Sequence, residues 1–336
     1  MKETEMNSVK NRNISLDLIK CIACIGVVGL HSVGMVNYTI YYLCGISVPM
    51  FFMVNGFLMF SKEKIDYKYS LIKILQLVKI IVLWNMIMIL PVIILRHKLI
   101  NPITQCLKSV LQQGYLWHFW FFGALILIYL LLPILHGLLK DRLMLHLIAC
   151  IILGIICVGI SVYSMIAGYS LVAYVPQTLR LWTWLFFYLF GGLCQRINIT
   201  DMLTANFNIY VHGGLLVIVA IINNIAIKKI GVFLTHTRIA DYYYDNFSSI
   251  LFYTLIFTLL LRIKLKDKAS YIVQKLAPLT MGIFILHPLL LKGITSVINP
   301  QTTTVAIVIW FALIISCGIA SAVIRQIPCV KELIKL

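Results

Sequence analysis

Apolar residues run through this chain in stretches of about twenty, separated by short polar segments. That is the length at which a helix crosses the hydrocarbon core of a bilayer. Ten such stretches can be drawn, at 14–36, 38–60, 71–95, 116–139, 144–167, 179–195, 208–227, 247–263, 275–294 and 303–325. The pattern predicts an all-α polytopic membrane protein of about ten transmembrane helices. Residues 1–336 form one integral membrane domain, with short cytoplasmic tails at 1–13 and 326–336. The segments at 179–195 and 247–263 are the short ones, so nine or eleven spans stay open. No internal repeat or low-complexity segment is evident.

Composition agrees with the pattern: 61% of residues are hydrophobic and 12% charged, where a soluble protein carries about 25% charged residues. The first apolar run contains Asp17 and Lys20 and lacks a small-x-small cleavage site, so it reads as a retained helix and not a secretory signal. With the N-terminus inside, 19 Lys and Arg residues fall on the cytoplasmic side and eight on the other, with Lys79 inside a span. The net charge of +17 is therefore a topology signal and argues against a nucleic-acid partner. Nine cysteines are scattered through mostly apolar segments, and Cys21-x-x-Cys24 has no second pair. No metal site and no bound cofactor is expected.

The candidate chemistry begins in the first helix, ISLDLIKCIACIGVVGLHSVGMV. Lys20 and His31 are separated by ten residues, which returns both to one helical face about 16 Å apart along the axis. Ionisable groups at such depth suggest a functional site. Asp17 lies three residues before Lys20 and either neutralises it near the interface or belongs to the same site. Lys79, in the third helix, sits at a depth of about 12 Å, close to the roughly 9 Å of Lys20. The two lysines either snorkel independently or attract a phosphorylated ligand. Asn55 and Gly56 fall near the same depth in the second helix, where they suit hydrogen bonding and close helix approach. Toward the outer side, Trp117, His118 and Trp120 read as an aromatic belt or as the rim of an acceptor site. His287 precedes Pro288, whose missing N–H frees a carbonyl one turn back. The outer loop 228–246 carries Asp241, Tyr242, Tyr243, Tyr244 and Asp245, which read as interfacial aromatics or as a sugar contact.

These segments, in this order, resemble the membrane acyltransferase-3 family, which includes bacterial O-acetyltransferases of surface polysaccharides. LDLIK followed by ten residues and His31 is similar to the family's LDxLR-x10-His. FFMVNGFLMF resembles its FFxxSGF, and KIIVLW the basic segment of its third helix. WHFWFFGALILIYLLLPIL and MGIFILHPLLL resemble its WFL…YLLxP and xLxHP segments. Lysine stands for arginine at both basic positions, which keeps the charge but loses bidentate phosphate recognition. Asn55 stands for serine.

The resemblance implies a stand-alone O-acyltransferase in a bacterial plasma membrane. Acetyl-CoA, or another acyl-CoA, would be co-substrate from the cytoplasm, and a cell-surface or lipid-linked glycan the acceptor. It implies His31 as general base, Lys20, Lys79 and Asn55 on the donor side, and Asp17, His118, Trp120 and His287 in supporting or acceptor-side places. A transporter of lipid-linked sugars and a non-catalytic partner in glycan assembly are the competing classes. Proton-coupled transport usually uses buried carboxylates, and Asp17 is the one acidic residue placed in a span.

Overall fold

A computed structural model of the chain describes residues 13–34, 36–96, 100–328 and 330–334, except the side chains at 91, 95 and 96. Most of the tail at 1–13, together with 329, 335 and 336 of the C-terminal tail, lies outside the described residues. The described chain is helical, with no strand among those residues. The helices are α1 (Ile14–Ser32), α2 (Tyr38–Cys44), α3 (Ser47–Phe60), α4 (Tyr67–Arg96), α5 (Pro102–Val110), α6 (Trp120–Leu139), α7 (Leu143–Ala167) and α8 (Leu181–Arg196). They continue with α9 (Ile199–Asn206), α10 (Ile209–Ile225), α11 (Val232–Thr235), α12 (Phe247–Arg262), α13 (Asp267–Leu276), α14 (Thr280–Thr295) and α15 (Thr303–Gln326). Among the described residues, 8 helical stretches are long and apolar enough to cross a membrane. α12 is a further, shorter apolar helix of 16 residues, and α8 has the same length, so the architecture is compatible with about ten spans.

Several starts follow from asparagine. Asn13, Asn37, Asn101, Asn208 and Asn246 each accept a backbone N–H of the first turn they precede, satisfying donors that have no intrahelical partner. The interior of the spans differs from a simple run of apolar residues. The segment 38–60 breaks at Gly45, where an added Cβ would meet the Tyr253 hydroxyl at 2.8 Å. The stretch 275–294 starts earlier, at Asp267, and turns at Ala277–Leu279 around Pro278 before α14. α10 continues through a π-helical turn, Ala226–Gly231, into α11.

One pair of helices is pressed together backbone to backbone. A Cβ on Gly56 of α3 would lie 1.7 Å from the Tyr188 carbonyl oxygen of α8, and one on Gly191 would lie 2.0 Å from that of Met53. Small residues give this approach in a bilayer, where packing replaces the hydrophobic effect between helices. The contact fixes α3 beside the aromatic core of Phe52, Phe122, Trp184 and Phe187.

The same clasp occurs twice. Near the start of α7, His146 places Nε2 2.9 Å from the Leu189 carbonyl, with Nδ1 3.5 Å from Arg196 at the end of α8. Arg196 also donates to the Leu139 carbonyl at 2.5 Å. Near the start of α10, His212 places Nε2 3.2 Å from the Leu255 carbonyl, with Nδ1 3.1 Å from Arg262 at the end of α12. Arg262 donates to the Phe207 carbonyl at 2.6 Å. A carbonyl only accepts and a guanidinium only donates, so each ring carries its proton on Nε2. In both clasps histidine and arginine are 50 residues apart, so the α7–α8 and α10–α12 pairs are closed by the same arrangement of side chains, which the apolar pattern conceals.

Candidate active site

Residues near the starts of α1, α4 and α14 and near the ends of α3 and α15 border one space at the end of the bundle rich in Lys and Arg. A cavity of about 470 Å³ opens there. Lys20 of α1, Lys73 of α4 and Arg325 of α15 line it. Lys20 Nζ lies 3.2 Å from Asp17 Oδ1, and the Asp17 side chain is 3% exposed against 30% for Lys20. The carboxylate is thus sunk among helices while the ammonium reaches the cavity. Arg325 donates to the Pro278 carbonyl at 3.1 Å. Asn55 lines the same space, donating to the Phe51 carbonyl at 2.9 Å and accepting from the Tyr129 hydroxyl at 3.1 Å.

Lys79 is placed differently from the expectation. It is not among the residues lining this cavity. Its Nζ lies 3.3 Å from Glu332 Oε2, and both side chains are about half exposed. The reason is angular. Six residues after Lys73, a helix has turned through about 600°, so the two lysines face directions about 120° apart. Lys73 and Arg325 are the cations that sequence reasoning missed, since depth alone does not tell which face of a helix looks inward.

A second cavity, of about 630 Å³, lies toward the opposite end. His31, Tyr115, Trp117, Pro288 and Lys292 are on its wall. His31 sits in the last turn of α1. Its ring stacks on His287 with centroids 5.3 Å apart and meets Trp117 edge-on at 5.0 Å. His118 stands behind, its centroid 6.0 Å from His287 and 5.4 Å from Phe284. Three histidines from α1, from the turn before α6 and from α14 therefore converge. Among the described residues no group of side chains is arranged to hold a metal ion.

The hydrogen bonding of this cluster is incomplete. His287 is fully buried, and its Nδ1 lies 3.0 Å from the Ile283 carbonyl, so Nδ1 carries the proton. Among the described residues its Nε2 meets no hydrogen-bonding partner at normal geometry, and the nitrogens of buried His118 are likewise poorly served. Buried polar atoms are normally paired, so the unpaired His287 Nε2 beside His31 is a candidate contact for a polar group from outside the protein. Pro288 follows His287 and has no N–H for the Phe284 carbonyl.

Two sequence expectations change here. His118 and Trp120 do not form an exposed rim: they are 2% and 5% exposed, and Trp120 stacks on Trp184 at 5.2 Å. The turn Trp117–Phe119 sends Trp117 to the cavity and the next residues inward. The loop cluster around Tyr242 is a buried clasp and neither an interfacial belt nor an open platform. Asp241 accepts from Gln177 at 2.6 Å and from Tyr244 at 3.0 Å, and Arg180 donates to its carbonyl at 2.9 Å. Asp245 accepts from Thr183 at 2.6 Å and Trp182 at 3.1 Å.

The two cavities approach each other through a narrow space of about 20 Å³, lined by His31, Trp117, His118 and Asp241 together with Phe51, Phe121 and Phe284. Asp241 joins the histidines from a loop far along the chain, where the sequence marks it as part of an acidic and aromatic cluster but not as a neighbour of His31. The arrangement sets a group able to accept a proton between a cationic cavity and a largely apolar one.

No curated protein and no solved structure matches this chain. A family model does: the acyltransferase domain of the acyltransferase-3 type, over residues 13–324. With that match running from the first turn of α1 almost to the end of α15, the chain belongs to the membrane acyltransferase-3 family.

Proposed function

We propose that this membrane acyltransferase moves an acetyl group from cytoplasmic acetyl-CoA to a hydroxyl of a cell-surface or lipid-linked glycan, in a bacterial plasma membrane. One observation carries the reading: His31 stands between a cavity ringed by Lys20, Lys73 and Arg325 and a second cavity toward the opposite end. The excess of Lys and Arg at the first cavity's end orients it to the cytoplasm. CoA phosphates would meet the three cations there. The acceptor hydroxyl would enter from the far cavity, beside Trp117 and Lys292.

His31 takes the hydroxyl proton as the oxygen attacks the thioester carbonyl. The new C–O ester bond forms, the C–S bond breaks, and the proton passes to the departing sulfur to give the CoA thiol. His287 and His118 wall the reacting centre and keep His31 stacked in place. Lys79, paired with Glu332 outside the first cavity, has no part in holding the donor.

The test is transfer of label from radiolabelled acetyl-CoA in membranes containing the protein, followed by mild alkali, which releases O-acetyl esters. Alkali-labile label in the glycan fraction is expected. Label found only as free acetate and unmodified CoA ester would overturn the reading.

A further inference from the structure

The inner cavity and the space beside His31 share three walls. Phe51 of α3, Phe121 of α6 and Phe284 of α14 line both. Phe121 is the middle ring, its centroid 5.9 Å from Phe51 and 5.6 Å from Phe284. Phe284 in turn touches His118 at 5.4 Å and His287 at 6.2 Å. The space they leave at His31 has a volume of about 20 Å³, room for about one water molecule.

We infer that Phe51, Phe121 and Phe284 form a sieve that sets acyl length, admitting an acetyl-sized group to His31 and excluding longer chains. The inference rests on the transfer reading above. A thioester carbonyl that reaches His31 from the inner cavity brings its acyl carbons past these rings. The carbonyl and one methyl need a small displacement of Phe51 and Phe284, both only half-buried. Each further methylene must occupy volume held by a ring in a packed interior. The bonds made and broken are unchanged: ester C–O forms, thioester C–S breaks, and the hydroxyl proton ends on sulfur.

Initial transfer rates with acetyl-, propionyl-, butyryl- and hexanoyl-CoA in proteoliposomes test this. For the unaltered protein the rate is expected to fall about 10-fold or more per added methylene, the scale at which apolar sites discriminate. Phe284→Ala is expected to raise the butyryl-to-acetyl rate ratio at least about 10-fold, with Phe284→Leu between. Phe51→Ala, on a different helix, reads the same ratio if Phe284→Ala fails to fold. Acetyl transfer with a ratio unchanged in folded Phe284→Ala or Phe51→Ala protein overturns the sieve alone. Equal rates with hexanoyl- and acetyl-CoA in the unaltered protein do the same. Absence of transfer from every acyl-CoA overturns the transfer reading and the sieve with it.

Discussion

The rings of His31 and His287 lie stacked 5.3 Å apart at 23°, although one belongs to the first span and the other to the ninth. The stack closes the bundle on itself. It also ties His31, which borders the far cavity, to a histidine whose own proton is committed to the Ile283 carbonyl. His287 is thereby a fixed wall, while His31 borders both the far cavity and the narrow space leading toward the inner one. His287→Ala should lower the transfer rate and leave donor KM near its original value. His287→Gln, which retains a polar group of similar reach, should recover part of the rate. A donor KM that rises in step with the loss of rate would argue that the stack shapes the inner cavity instead.

The cations divide by the cavity they face. Lys73→Ala and Arg325→Ala should each raise donor KM, by roughly 10-fold for the loss of one charge-assisted phosphate contact of about 1.5 kcal/mol. Lys79→Ala should leave it within about twofold, because an exposed ion pair contributes about 0–1 kcal/mol. Steady-state kinetics on varied acetyl-CoA separates them. The ranking fails if Lys79→Ala proves the most damaging of the three.

The glycine contact makes a sharper structural statement. Gly56→Ala puts a carbon into a carbonyl oxygen of a neighbouring helix, so the helices must part. The cost should be at least the 1–3 kcal/mol typical of overpacking. Gly137, where an added Cβ meets nothing within 4 Å, is the control. Thermal aggregation in detergent should drop for Gly56→Ala and stay level for Gly137→Ala; equal midpoints would contradict the packing.

Much of the fold was legible in the apolar runs, because a bilayer demands about twenty apolar residues per crossing and leaves few other ways to satisfy that length. His31 was legible for the complementary reason, that a histidine among apolar residues is costly. What the pattern hid depends on helix rotation and on distant pairings. Lys73 and Lys79 have similar composition around them and differ only in the face they present. His118 and Trp120 were read outward because both lie near a span's end, yet the turn Trp117–Phe119 buries them. The repeated clasp needs two helix ends to meet; its faint signal was the common spacing of His146 to Arg196 and His212 to Arg262.

That clasp carries its own prediction. Arg262→Ala leaves His212 Nδ1 and the Phe207 carbonyl without donors, at a cost of about 1–3 kcal/mol. Arg262→Lys, with one charged head in place of a fork, should restore only part of the loss. Unfolding midpoints of the two variants in detergent check the order, and a lysine variant no better than alanine would speak against the fork.

Asp245 gives a pH dependence. Burial pushes its carboxyl up from the ordinary range, while hydrogen bonds from Thr183 and Trp182 and the charge of Arg180 pull it down. With the folded value raised, the unfolded carboxyl ionises first as pH climbs. The stability Asp245 contributes is therefore full below about 3.9, the unfolded value, and is lost as pH rises through that value toward the folded one. Asp245→Asn should flatten this part of the stability profile in thermal scans taken upward from about pH 4. A profile with undiminished slope would show that the carboxyl is not the source.

The most direct test of the account is single-turnover acetyl transfer by His31→Ala in proteoliposomes, with donor binding measured in the same preparation. Loss of a general base should slow transfer by about 100-fold or more while acetyl-CoA still binds at the basic-end cavity. Transfer at the original rate by folded, inserted His31→Ala protein would contradict it.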